Sequence, residues 1–396
     1  MTANMPDIRA IQAELRASKI DGWLFYDHHH RDPIAHRVLG LGPNGMATRR
    51  WFYFIPSRGR PRKLVHRIEA TTLDSLAGHK YVYSGWEELR EGLGKLLSGS
   101  RTVAMQYSPE NNIPYIGLVD AGTVELVRKF KKKVITSADL VQKFEATWTP
   151  EQLVSHLEAG KLIDQIRQSA FEQAAANVRS SQPVTEFELQ QWILKQFRAN
   201  GLTTAEPPIA AVQPNNGNPH YEPRANQPRP IRAGDLLLLD IWAKFDRPGS
   251  VYYDITWTGY LGERVPEAYA KIFRIVREAR DRAISYVVES AARGRTLHGW
   301  EVDNMARGVI GKAGYAKYFV HRTGHSIGQE VHGSGANIDG LETRDSRRII
   351  PRTCFSIEPG IYLPEFGIRS EVDVYVGERD ARVTGAIQQE ISPLLA

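Results

Sequence analysis

Leu236-Leu-Leu-Leu-Asp240-Ile-Trp-Ala-Lys-Phe-Asp-Arg-Pro-Gly-Ser-Val-Tyr-Tyr-Asp254-Ile-Thr-Trp257 reads as two strands around a turn. Asp246-Arg-Pro-Gly249 supplies the turn residues, so the strands fold back as a hairpin and bring Asp240 and Asp254 together. Asp240 ends the leucine strand, and four leucines beside it point its carboxylate inward. A buried, unpaired carboxylate is costly and calls for a cation. Taken alone, the segment reads equally as a surface hairpin with incidental acids.

The segments that follow decide between those readings. His321-Arg-Thr-Gly-His325-Ser-Ile-Gly-Gln-Glu-Val-His332 sets imidazoles at positions 321, 325 and 332, amid Gly324, Gly328 and Gly333, which let the backbone approach a ligand closely. Imidazole can ligate a metal, donate to a developing oxyanion or shuttle a proton. Glu358-Pro-Gly360 ends a strand on a carboxylate. On the last strand, expected over Arg369 to Val376, Arg369, Glu371, Asp373 and Tyr375 share one face by the period of two. In chain order Asp240, Asp254, His325, Glu358 and Glu371 give four carboxylates and one imidazole with no thiolate. Such a set suits a pair of divalent ions such as Mn, Co or Zn, and implies hydrolysis by a metal-activated water.

Composition leaves room for this and narrows the alternatives. The chain has 396 residues and 42% hydrophobic content, enough for two cores. Its single cysteine, Cys354, lies in the apolar run Thr353 to Ile357 and reads as a small buried hydrophobe, which fits a reducing cytoplasm. No apolar signal core or membrane span is expected, because the longest aliphatic run, Leu236 to Leu239, is far too short. The net charge of +6 is spread over 51 basic and 45 acidic residues. The one basic run, Arg128 to Lys133, reads as a solvated strand edge guarded by lysines, and no nucleic-acid partner is expected.

Along the chain, residues 1–146 read as an α/β domain. A helix is expected from Asp7 to Ser18, strands at Ile20 to Tyr26, Trp51 to Ile55, Lys63 to Val65, Tyr81 to Tyr83 and Thr102 to Met105, and a helix from Trp86 to Leu97. Thr147-Trp-Thr-Pro-Glu-Gln152 is a helix start, opening a second domain over 147–396 with a long helix to about Ala175. A helix over Val184 to Asn200, an irregular loop over Pro207 to Pro230, the hairpin, and helices over Pro266 to Ala292 and Val302 to Ala313 follow. On the first of these two helices Ile272, Val276, Ala279, Ala283 and Val287 make a core-facing stripe.

Together the acidic and histidine segments resemble the pita-bread metallopeptidase family, which includes methionine aminopeptidase, aminopeptidase P and prolidase. The resemblance covers residues 149 to 396, and the preceding domain is similar to the amino-terminal domain of creatinase, aminopeptidase P and prolidase. It implies an α/β (α+β) fold, with a creatinase-type N-terminal α/β domain followed by a pita-bread catalytic domain. By motif, Asp240 would chelate one metal, His325 and Glu358 the other, and Asp254 and Glu371 would bridge both. Glu358 would also take the proton of the attacking water. His332 would polarise the scissile carbonyl, His321 would line the proline side of the pocket, His220 would contact the substrate near the scissile amide, and Arg369 would support the site. The implied activity is cleavage of the bond before proline, in Xaa-Pro dipeptides or, alternatively, in longer peptides as in aminopeptidase P. It implies two divalent ions per chain, Mn2+ first, then Zn2+ or Co2+, a proline-containing peptide as substrate, and a homodimer. Two departures stand out: Asp240 and Asp254 are 14 positions apart, more than is usual, and Val372 follows Glu371 where proline-specific members commonly carry an acid. A metal-free creatinase-like amidohydrolase or a non-catalytic module with the same fold would have no use for the complete set of five.

Asp27-His-His-His-Arg-Asp-Pro-Ile-Ala-His-Arg37 packs four histidines and two arginines into one loop. It reads either as a solvated, adventitious nickel-binding patch or as a place where Arg31 or Arg37 holds a dipeptide's free carboxylate. In the second reading Asp32 holds the loop or meets the substrate ammonium.

Overall fold

The computed structural model describes residues 6–42 and 47–396. The chain divides into two compact units, Met1–Glu145 and Ala146–Ala396.

In the first unit, strands β1 (Gly22–Asp27), β2 (Trp51–Pro56), β3 (Arg62–His66), β4 (His79–Tyr83), β5 (Thr102–Met105) and β6 (Lys133–Thr136) form one mixed sheet in the order β4-β3-β2-β1-β5-β6. β1 and β2 are buried on both faces, and their side chains part by the period of two. Trp23, Phe25, Trp51, Tyr53 and Ile55 enter one core, and Leu24, Tyr26, Phe52 and Phe54 enter the other. The helices are α1 (Ile8–Ala17), α2 (Pro33–Leu39), α3 (Trp86–Leu96), α4 (Ala121–Lys129) and α5 (Ala138–Val141). Ile11 and Leu15 of α1 and Ile34 of α2 seal the first core, and Leu89 of α3 and Val127 of α4 the second. The sequence reading names no element where α4, β6 and α5 lie, because pieces of 9, 4 and 4 residues carry little periodicity. Lys133 opens β6 at the sheet edge, so the basic run does flank an edge strand.

The second unit opens on α6 (Pro150–Arg179), which runs past its expected end at Ala175. Its start carries a reciprocal cap: Gln152 N–H donates to Thr149 Oγ1 at 3.2 Å and Thr149 N–H to Gln152 Oε1 at 2.9 Å, with Pro150 at the first helical position. α7 (Glu186–Ala199), β7 (Leu202–Thr203) and β8 (Ile209–Ala211) follow. The loop expected to be irregular thus contains a strand, because Ile209 to Ala211 pairs with the buried leucine strand. That strand is β9 (Leu236–Phe245), paired antiparallel with β10 (Tyr253–Tyr260). Asp240 does not end its strand as expected. Pairing continues through Ala243, so Asp240 sits mid-strand, opposite Thr256. Leu237, Leu239, Ile241, Tyr253 and Ile255 pack against α6 and α7, including Ile163, Ala170, Ile193 and Phe197. Alternation then sends Asp240, Asp254 and Thr256 to the opposite face. A Cβ on Gly160 of α6 would come within 2.7 Å of the Tyr253 ring, so this helix must have glycine where it crosses the hairpin.

α8 (Glu267–Ala292) and α9 (Gly299–Lys312) build the other core of this unit. Ile272, Val276, Ala279, Ala283 and Val287 meet Val302 and Ile310, and together they cover Phe355, Ile357, Val372 and Val374. Those four belong to a sheet ordered β11 (Ser326–Ile327), β12 (Thr353–Ile357), β15 (Val372–Val376), β16 (Ala381–Val383), while β13 (Gly360–Tyr362) and β14 (Gly367–Arg369) pair separately and β17 (Ser392–Pro393) joins β10. The strand expected over Arg369 to Val376 is therefore two strands, broken at Ser370 and Glu371, because the chain changes from the β13 pairing to the β12 pairing there. At the break Glu371 N–H donates to Thr256 O at 3.1 Å, and the buried Arg280 guanidinium donates to Ser370 Oγ at 2.6 Å. Tyr375, expected on the polar stripe, packs instead beside Trp148 and the buried Cys354. No helix among the described residues is long and apolar enough to cross a membrane.

Asp32 caps α2 by accepting from Ala35 N–H at 2.8 Å, and it is buried. Burial pushes its carboxyl up to about 7, opposed by the Ala35 hydrogen bond and assisted by the Asp27 charge. With a folded value above the unfolded one, its contribution to stability is whole below about pH 4 and lost as pH rises through 7. Asp32→Asn keeps the cap and removes the titration. The stability of the first unit, followed by hydrogen exchange of α2 amides, should fall by on the order of 4 kcal/mol between pH 4 and 8 in the wild type and by much less in the variant. Equal pH slopes in both proteins would contradict this.

Candidate metal centre

The hairpin face, the β14–β15 break and the Gly324–Ser326 segment bring the five expected ligands into one pocket of the second unit. Donor atoms of Asp254, His325 and Glu371 all lie within 4.8 Å of one another. His325 Nε2 is 3.5 Å from Asp254 Oδ2 and 3.5 Å from Glu358 Oε1. Thr256 Oγ1 lies 3.0 Å from Asp240 Oδ1 and 2.7 Å from Glu371 Oε2, tying those carboxylates together. Arg369 donates to Asp240 Oδ2, to Thr256 Oγ1 at 3.0 Å and to Tyr362 Oη at 3.2 Å.

Local backbone sets these positions. His325 follows Gly324, whose Cβ would stand 1.9 Å from Ser356 O, so only glycine lets this segment lie against β12. Ser356 Oγ accepts from His325 N–H at 3.0 Å and lies 3.2 Å from Glu358 Oε1, fixing both ligands from one side chain. Glu358 comes just after β12 ends.

The electrostatics are strained. His325 Nδ1 faces Ser326 O at 3.2 Å, which assigns its proton to Nδ1 and leaves a lone pair on Nε2. That lone pair points at two carboxylate oxygens. Asp254 Oδ1 is buried with no hydrogen-bond partner among the described residues. Burial raises the carboxyls of Asp240, Asp254, Glu358 and Glu371 above the usual range, Glu358 to about 7, and repulsion from neighbouring carboxylates adds to this at Asp254, Glu358 and Glu371. Burial and the neighbouring His332 hold His325 well below its ordinary value. Four carboxylates beside the guanidiniums of Arg369 and Arg322 leave an excess of negative charge that divalent ions would offset. The donor set is hard to borderline, so these residues fit such a pair.

The other expected residues fall as follows. His332 stacks edge-on against His325 with ring centroids 4.4 Å apart and is exposed on its outer side. Protein packed on its inner side, together with Arg322 and His220, pushes its imidazole down to about 4, so it is neutral at pH 7. His321 donates from Nδ1 to Arg322 O at 2.7 Å and accepts at Nε2 from Tyr362 Oη at 2.7 Å, so both its nitrogens are engaged within the protein. His220 is exposed, next to Pro219, whose carbonyl accepts from Arg369 at 3.3 Å. In the first unit, Asp32 is the α2 cap, Arg37 pairs with Glu145 at 2.5 Å, and Arg31 lines an open cleft of about 720 Å³ with His28, Arg49, Arg50 and Trp86.

Sequence reasoning missed Thr256 and Ser356, and left Asp373 without a role. Asp373 Oδ2 accepts from Asp254 N–H at 2.8 Å, holding the ligand's backbone from the neighbouring sheet. Each of the three stands two positions from a ligand, and the strand period alone would have placed Thr256 beside Asp254.

The family model for metallopeptidase family M24 matches residues 156–378, and the chain belongs to that family. It is 32% identical over 235 residues to an Xaa-Pro dipeptidase of Lactobacillus delbrueckii subsp. lactis, covering 59% of this chain and 58% of that one. The match thus spans less than two thirds of that relative. An Xaa-Pro dipeptidase of Pyrococcus furiosus is 28% identical over 295 residues, covering 72% of this chain and 77% of the relative. Among solved structures, dipeptidase PepE from Mycobacterium ulcerans superposes with a TM-score of 0.74 at 22% identity, covering 98% of this chain and 96% of that one. A prolidase from Thermococcus sibiricus gives 0.70 at 22%, covering 98% of each chain. The fold is that of these enzymes, mixed α/β with a smaller unit preceding the pita-bread unit.

Thr256→Val keeps the shape of the site and removes the hydroxyl between Asp240 and Glu371. Outer hydrogen bonds of this kind typically contribute roughly 10–100-fold to metal affinity. Titration of the metal-stripped variant with Mn2+ should show a loss in that range with the fold unchanged by circular dichroism. Wild-type affinity would remove Thr256 from the account.

Proposed function

We propose that the chain is a dinuclear metallopeptidase that hydrolyses the bond before proline, in Xaa-Pro dipeptides. Asp240, Asp254, His325, Glu358 and Glu371 would hold the two ions. The observation that carries this reading is the buried His325 lone pair facing Asp254 and Glu358 beside an unpartnered Asp254 oxygen. The substrate class is supported by the relatives named as Xaa-Pro dipeptidases. Oxygen-rich ligation favours Mn2+ as the resident ion, with Zn2+ or Co2+ as substitutes. A homodimer in the cytoplasm completes the proposal, supported for location by the single buried cysteine.

When bound, the ion pair supplies Lewis-acid activation of water and of the scissile carbonyl. The protein's own groups do the rest. Glu358, partly open at its carboxylate, accepts the proton of the attacking water and delivers it to the leaving proline nitrogen. His332, neutral and at the open side, donates a hydrogen bond to the carbonyl oxygen as charge builds there. His220 orients the scissile amide. His321, held between Arg322 O and Tyr362, shapes the proline side of the pocket, and Arg369 fixes Asp240. For substrate length, Arg31, or Arg37 on release from Glu145, would bind the free carboxylate of a dipeptide, with Asp32 holding their loop through the α2 cap.

The test is a panel of Xaa-Pro dipeptides and Xaa-Pro tripeptides assayed with Mn2+, in the wild type and His332→Ala. Dipeptides should show the higher kcat/KM, and the variant should lose roughly a hundredfold or more in rate with its metal content unchanged. Preferred turnover of tripeptides would make the enzyme an aminopeptidase P instead. Metal lost with His332 would exchange the roles of His325 and His332.

A further inference from the structure

Outside the second unit, one other group of side chains among the described residues converges as metal ligands do. It lies in the first unit, at the end of β1 and the start of α2, and comprises Asp27, His30 and His36, each offering a donor atom within 4.8 Å of the others. Asp27 is buried and immobilised by its own loop: Oδ1 accepts from Arg31 N–H at 2.7 Å and Asp32 N–H at 3.1 Å, and Oδ2 accepts from His30 N–H at 3.2 Å. His36 is carried on α2, and its Nε2 stands 3.1 Å from Asp27 Oδ2. A zinc ion with bonds of about 2.0–2.1 Å keeps neighbouring tetrahedral donors about 3.3 Å apart, close to that separation. The His30 and His36 rings lie 5.1 Å apart by centroid.

The backbone is bent to make this convergence. His29 and His30 both adopt left-handed conformations, with φ of 62° and 55°. Non-glycine residues rarely do so, and two in succession persist only where the surroundings impose them. Here the bend wraps three amides around Asp27 and turns the His30 ring back over His36. His30 is exposed, so the cluster is closed by protein on the Asp27 side and open to water on the other. Two imidazoles and one carboxylate with an open side are donors for a borderline first-row ion.

We propose that Asp27, His30 and His36 form a further metal site, in the first unit, that takes one zinc-class ion (Zn2+, Co2+ or Ni2+). The ion takes the place of the hydrogen bond between Asp27 and His36 and pins the loop from His28 to Asp32 to α2. Its three ligands are distinct from the five residues assigned to the ions of the second unit.

Zinc content of the untagged full chain, dialysed against micromolar Zn2+ and measured by atomic emission, tests this. The wild type should hold one more zinc per chain than His30→Ala or His36→Ala. His30→Ala is the cleaner variant, because it leaves the Asp27–His36 pair intact. His28→Ala and His29→Ala, at the neighbouring pair of rings 4.2 Å apart, should retain the ion. If the second-unit centre also fills, the counts are three and two; if that centre were absent, they are one and zero, so the two assignments fail separately. Equal zinc in wild type and His30→Ala overturns the site. So does equal loss from His28→Ala and His30→Ala, which would mark an adventitious histidine patch.

Discussion

The carboxylates of Asp240, Asp254, Glu358 and Glu371 are gathered in one buried cluster that outnumbers the guanidiniums of Arg369 and Arg322 beside it, and the second unit is arranged to hold these like charges together. At close range in a low-dielectric interior such a group repels itself unless protons or cations intervene. Burial raises all four carboxyls, and repulsion adds to this at Asp254, Glu358 and Glu371, while His325 is kept neutral with a lone pair turned toward two of them. The arrangement is poor for a metal-free chain and well matched to a pair of divalent ions.

Keeping it requires rigid support from several directions. The apolar faces of β9 and β10 are seated on α6 and α7, which forces Asp240, Asp254 and Thr256 to the other side. The apolar face of β12 and β15 is seated on α8 and α9. Where the two sheets meet, three hydrogen bonds set the geometry: Glu371 N–H to Thr256 O, Asp254 N–H to Asp373 Oδ2, and Arg280 to Ser370 Oγ. The break between β14 and β15 follows from this meeting, because Glu371 pairs with β10 at the point where its own strand would otherwise continue.

Much of the candidate site was legible because its expected ligands are chemically conspicuous. An aspartate after four leucines, three histidines among glycines and a glutamate ending a strand announce themselves in one dimension. The supporting residues do not. Thr256 and Ser356 are ordinary strand residues until a partner strand comes beside them, and Asp373 acts through a backbone amide 119 positions away. The turn expected at Asp246-Arg-Pro-Gly249 is where the hairpin reverses, but the position of Asp240 within β9 was misread, because pairing with β10 through Ala243 carries the strand beyond the leucine run. In the first unit the buried strands β1 and β2 were clear from aromatic runs, whereas α4, β6 and α5 were too short to carry a period. The loop from Asp27 to Arg37 was visible as an oddity of composition, but only the fold shows that Asp32 and Arg37 are engaged by the loop's own unit.

The central claim is that Asp240, Asp254, His325, Glu358 and Glu371 together hold two ions. Diffraction collected at the manganese absorption edge from crystals grown with Mn2+ tests it most directly. The account predicts two anomalous peaks in the second unit, both bordered by Asp254 and Glu371, with the Asp254 Oδ1 atom in contact with one of them. An absence of peaks there, or a single peak that leaves Asp254 Oδ1 untouched, would contradict it.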